Sequence, residues 1–86
     1  MTTHRPPIED VTATLDTSGL LCPLPVYRAA QALNDLEPGA LLELTCTDPG
    51  AIADIPALAR QRGDVLVGSE DRDGTQIFWI RKGAAR

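Results

Sequence analysis

Histidine is almost missing from this sequence: His4 is the only one in 86 residues. With a single imidazole placed near the N-terminus, no Cys/His nucleophile pair and no Cys/His metal site at ligand spacing can be assembled. Cysteine is scarce too. Cys22 and Cys46 allow at most one disulfide, and a reducing compartment makes such a bridge the weaker reading of the pair. Positive charge is in deficit, with 8 Lys and Arg against 12 Asp and Glu and a net charge of −4. No global field therefore draws the chain to nucleic acid or to an anionic membrane, and partners are expected among proteins and small molecules. Long apolar runs are absent as well, and the start Met1-Thr2-Thr3-His4-Arg5 has no apolar signal-peptide core, which leads to the expectation of a cytoplasmic protein.

The feature that stands out is Gly19-Leu20-Leu21-Cys22-Pro23-Leu24-Pro25. A proline directly after the cysteine can open a helix, and a second one two residues on still falls in the first turn, where a missing N–H costs little. Cys22 is thus expected at a helix N-terminus. There the free N–H groups and the helix dipole, a term of about 0.3–1 kcal/mol, favour a thiolate and a modestly lowered pKa. Gly19 lets the backbone turn before the cysteine.

The length suits one small domain with one core. Residues 1–10 read as a flexible tail, residues 11–83 as the domain and residues 84–86 as a short C-terminal tail. Val11–Asp16 alternates loosely as a first strand. From Pro23 the positions Val26, Ala29, Ala30, Leu33 and Leu36 recur at helical spacing, with Arg28, Gln31, Asn34 and Asp35 opposite, and Pro38-Gly39 ends the helix. Ala40–Thr47 reads as a strand that turns Leu42, Leu44 and Cys46 towards the helices. In register with two leucines, Cys46 is expected to be a buried, unreactive core residue.

Asp48-Pro49-Gly50 signals a second helix start, and Ala51, Ile52, Ile55, Leu58 and Ala59 supply its apolar face. Pro56 predicts an interruption, with a new cap at Asp54 before the helix runs on to Arg62 and Gly63. Both aspartates are read as caps only. Asp64–Gly68 and Thr75–Lys82 are the last strands, joined as a hairpin through Asp73-Gly74. Phe78 and Ile80 are placed inward, Ile77, Trp79 and Arg81 on the other face.

The element order β-α-β-α-β-β predicts an α+β two-layer sandwich, with two helices packed on one face of a mixed four-stranded sheet. The other sheet face, with Leu41, Ile77 and Trp79, is a candidate docking surface, or simply covers the sheet edge. No general base, oxyanion hole or substrate pocket can be assembled from the residues.

With Gly19-Leu20-x-Cys22-Pro23-x-Pro25, Leu15-Asp16 before it, and Pro38-Gly39, Asp48-Pro49, Asp54-Ile55-Pro56 and Arg81-Lys82-Gly83 after it, the chain resembles the TusA/SirA family of small sulfur-carrier proteins. The likeness runs from about Leu15 to Gly83. It implies the same two-layer fold, and a sulfurtransferase in the broad sense. Cys22 would accept sulfane sulfur as a persulfide from a donor protein, a cysteine desulfurase or rhodanese, and pass it to an acceptor protein's cysteine. No cofactor beyond that covalent sulfur is implied, and no metal. Pathways served in the family are sulfur oxidation, tRNA thiolation and molybdenum-cofactor assembly. Where relatives in tRNA thiolation carry a basic residue before the cysteine and an acidic one between the prolines, this chain has Leu21 and Leu24. Its first helix keeps only Arg28 where many relatives have more basic residues. Leu21, Leu24 and Arg28 are thus the candidate partner contacts. Competing readings are a non-covalent protein-binding module and a thiol redox switch of Cys22 with Cys46.

Overall fold

The structure, a computed structural model, describes residues 11–84. The tail expected over residues 1–10, with His4, and the last two residues lie outside the described residues. In chain order the elements are β1 (Val11–Thr17), α1 (Leu24–Asn34), β2 (Leu41–Cys46), α2 (Ala51–Arg62), β3 (Val65–Arg72) and β4 (Thr75–Arg81). The sheet order is β1-β2-β4-β3, with β1 parallel to β2 and β4 antiparallel to both of its neighbours. Both helical crossovers, β1 to β2 and β2 to β3, step across the sheet in the same direction. Right-handed connections then place both helices on one face, which is the expected α+β sandwich.

One core joins the two layers. Ala29 and Leu33 of α1 and Ala51, Ile55 and Ala59 of α2 are buried against Leu42, Leu44, Cys46, Phe78 and Ile80 of the sheet. The cross-strand pairs Leu42↔Ile80 and Leu44↔Phe78 set the register of that face. Cys46 is fully buried, as its alternation with the leucines requires. Two helical positions differ from the expected stripes. Ala32 packs against the core in place of Ala30, and Ile52 is exposed, because the stripe of α2 runs through positions 51, 55 and 59 and a neighbour one residue on is rotated by about 100°.

Pro56 does not interrupt α2, and no new cap forms at Asp54. The helix is wound up gradually instead: Ala51 and Ile52 N–H donate to Asp48 and Pro49 carbonyls, and Asp54 N–H donates to Gly50 O. The proline removes only the bond that would end on the carbonyl of exposed Ile52, a group that water can reach. Burial of Ile55 and Ala59 on either side of it outweighs that loss. Gly63 closes the helix in the left-handed conformation, φ 80°.

β3 does not stop at Gly68. It continues to Arg72, and the hairpin closes through Asp73 and Gly74, both at positive φ (52° and 89°). Gly68 sits where the register with β4 shifts, so the glycine marks a bulge rather than a strand end.

The second sheet face also departs from expectation. Leu41, Ile77 and Trp79 are buried together, with Val11 packed on them, and the Trp79 indole N–H donates to Glu43 Oε1 at 3.0 Å. The cross-strand register Glu43↔Trp79 and Thr45↔Ile77 brings these side chains side by side. They are a second small core and not an open docking surface.

At the end of α1 remote from Cys22 the Arg81-Lys82-Gly83 segment is a structural clamp. Lys82 Nζ donates to the carbonyls of Leu33 (2.6 Å) and Leu36 (2.9 Å), and Arg81 donates to Gly39 O. Gly83 N–H donates to Asp64 Oδ1, with its Cα so close to Gly63 that a Cβ would lie 2.0 Å from the Gly63 carbonyl oxygen.

Candidate functional site

The loop from β1 to α1 is pinned to the end of β2. Thr17 Oγ1 donates to Thr45 O (2.7 Å), Ser18 N–H donates to Asp16 Oδ1, and Gly19, at φ 84°, donates its N–H to Thr47 Oγ1 (2.9 Å). The positive φ explains the glycine: a side chain there would be strained although space is open. This loop delivers Cys22 to the surface, where its thiol is exposed.

Both prolines stand where the motif suggests, displaced by one position. Pro23 is the capping residue, joined to Cys22 by a cis peptide bond, Leu24 opens α1, and Pro25 is in the first turn with its ring buried. This arrangement does not create the thiolate-stabilising helix end expected from sequence. Pro23 and Pro25 have no N–H, and the Leu24 N–H is taken by Leu21 O at 2.9 Å. Two of the residues that start the helix thus contribute no N–H to its first turn.

Carboxylates surround Cys22 instead. Its N–H donates to Asp48 Oδ2 at 3.0 Å, and its Sγ–H donates to Asp54 Oδ2 at 3.3 Å. Neither aspartate caps α2, whose capping residue is Gly50 and receives no side-chain bond. Gly50 makes room for Asp48: a Cβ there would stand 3.2 Å from Asp48 Oδ2. The thiol responds accordingly. The Asp54 hydrogen bond first, then lost hydration, then the negative charges of Asp54 and Asp48 push the Cys22 thiol above the ordinary thiol range. This corrects the lowered value expected from the helix dipole. Cys46 is also pushed up, chiefly by burial, with a Thr17 hydrogen bond opposing.

Beside the thiol lies a cleft of about 270 Å³ between the two helices, lined by Cys22, Pro23 and Val26 on one side and by Asp54, Ala57, Leu58 and Gln61 on the other. The sequence had suggested no pocket. Outside the cleft the surface is apolar: Leu21 is 68% exposed, Leu24 45% and Tyr27 60%. Leu24 and Tyr27, three residues apart, share a helix face. Arg28 is exposed on α1 and does not line the cleft.

A family model described as Sulfurtransferase TusA matches residues 13–82. The chain belongs to the TusA family. Similar relatives include a "Sulfur carrier protein TusA" from Allochromatium vinosum, 42% identical over 73 residues, covering 85% of this chain and 96% of the relative. Another of that name, from Pseudomonas syringae pv. syringae, is 44% identical over 78 residues, covering 88% and 93%. Among solved structures, a SirA-like protein from Desulfitobacterium hafniense superposes with a TM-score of 0.71 at 28% identity, covering 84% of this chain and 99% of that one. Asp48 and Asp54 fall in segments that the family resemblance had already marked. Their sequence context, each just before a proline or an apolar turn, points to capping, and only the fold turns them onto Cys22.

Proposed function

We propose that the chain is a cytoplasmic sulfur carrier: Cys22 accepts sulfane sulfur from a donor protein's persulfide and hands it to a cysteine of an acceptor protein. The observation that carries this reading is an exposed thiol beside a small cleft, with its companion thiol, Cys46, buried in the core. An exposed sulfur with no second accessible thiol suits a group that partners load and unload. Loading exchanges Cys22–SH and R–S–SH for Cys22–S–SH and R–SH. The Cys22 sulfur bonds to the donor's outer sulfur, the donor's S–S bond breaks, and the proton given up by Cys22 is matched by one taken up on the donor's inner sulfur.

Burial of Cys46 speaks against the redox pair, and burial of Leu41 and Trp79 removes the surface on which a purely non-covalent module was imagined. The exposed apolar patch of Leu21, Leu24 and Tyr27 next to the thiol is where donor and acceptor would sit, so these residues would govern whether the sulfur goes to oxidation, tRNA thiolation or cofactor assembly. Incubation with a charged cysteine desulfurase or rhodanese, read by intact mass, is expected to add one sulfur atom to the native chain and none to Cys22→Ser. A Cys22→Ser chain that still gains the sulfur overturns the proposal.

A further inference from the structure

Sulfur transfer requires a thiolate, yet the free chain presents a thiol hydrogen-bonded to a carboxylate. We propose that Asp54 is a control residue of the transfer: by accepting a hydrogen bond from Sγ–H it holds the free carrier in a protonated, slow-reacting state until a partner docks. The inference rests on the carrier reading of Cys22.

Three features of the geometry support it. Asp54 reaches the sulfur itself, 3.3 Å from Sγ, while Asp48 is occupied with the Cys22 backbone. Asp54 stands in the first turn of a twelve-residue helix whose next residue, Ile55, is fully buried, so its backbone is anchored by the core while its half-buried side chain can still turn. Among the described residues no ion pair within 4.0 Å reaches it either: Arg62 pairs with Asp64 and Arg72 with Glu70. The titratable groups facing Cys22 are thus Asp54 from α2 and Asp48 from the loop before it. Among the cleft-lining residues, Gln61 of α2 is neutral, and Pro23 and Val26 from the α1 side do not titrate.

An anion accepting a thiol proton opposes ionisation twice, because the bond is lost and a like charge is created beside it. Free electrophiles and oxidants, which need the thiolate, then meet a carrier at rest. A donor or acceptor that covers the site and draws Asp54 away, or pairs it with a cation, releases the sulfur for attack. Reactivity would thereby be confined to the docked complex.

The test is the pH profile of Cys22 alkylation by neutral iodoacetamide, followed by mass on the full chain. Asp54→Asn is expected to react about fivefold faster than wild type at pH 7, the size of a unit charge a few ångströms away in water, with a lowered midpoint and with rates that converge at high pH. Asp48→Asn is expected to shift the profile less. Coincident profiles for Asp54→Asn and wild type, or a larger shift for Asp48→Asn, would overturn the inference. Wild type alone gives a second check: its folded midpoint must lie above that of the same cysteine in the urea-unfolded chain, and a value at or below it refutes the brake. Sulfur loading measured on the same samples keeps the two ideas apart. Loading with an unshifted midpoint removes the role of Asp54, whereas a raised midpoint without loading removes the carrier.

Discussion

Replacing Lys82 with methionine removes one charge and leaves a side chain of similar length. In the native chain the ammonium group donates to the carbonyls of Leu33 and Leu36, at 2.6 and 2.9 Å, at the C-terminal end of α1. A hydrogen bond from a charged donor contributes about 1.5–3 kcal/mol, and a cation at a helix C-terminus adds about 0.3–1 kcal/mol. The Leu33 carbonyl is less dependent than that suggests, since it also accepts the Leu36 N–H, and the half-buried ammonium gives up hydration in folding. A net loss of about 2 kcal/mol is the expected result. For a domain of this size that lowers Tm by about 8–16 °C, and in urea it moves the midpoint without changing the slope. The α1 start lies roughly 16 Å from its end, so the pH profile of Cys22 is expected to be unchanged. A loss below about 0.5 kcal/mol would show that the lysine is merely a surface residue, and a shifted Cys22 profile would refute the separation of clamp and site.

Two further outcomes follow from burial. A neutral thiol reagent applied to the native chain is expected to modify Cys22 first and Cys46 only as fast as the core opens, because Cys46 is fully buried and its thiol is pushed up; equal rapid labelling, read by peptide mass, would restore the redox pair. Leu24→Glu changes a side chain that is 45% exposed, so stability is expected to stay within about 0.5 kcal/mol while sulfur transfer from the donor protein changes several-fold. An altered melting curve together with unchanged transfer would contradict the placement of the partner surface at Leu21 and Leu24.

Much of the scaffold could be read locally. The alternation Leu42, Leu44, Cys46, the helical recurrence of Ala29, Leu33 and Leu36, and the Asp73-Gly74 turn each involve residues a few positions apart, where backbone geometry alone decides which side chains share a face. Pro56 shows the limit of such reading. Its local preference is to break a helix, and the burial of Ile55 and Ala59 overrides it. Gly68 is a similar case, since a bulge exists only relative to the strand it pairs with.

For the site, the sequence by itself determined which thiol is displayed and how: Cys22, the turn at Gly19, and a helix started by Pro23 and Pro25. It also determined that Cys46 belongs to the core. Only the tertiary structure decided the electrostatic character of that thiol. Asp48 and Asp54 lie 26 and 32 positions from Cys22, and it is the stacking of both helices on one sheet face that brings one carboxylate to its backbone N–H and the other to its sulfur. Local reasoning sees a helix N-terminus, which favours an anion; the prolines that start it supply no N–H, and the fold sets two carboxylates beside it. Hydrogen bonding and charge act through space, and the distances that set their sign at Cys22 come into being only when the chain has folded.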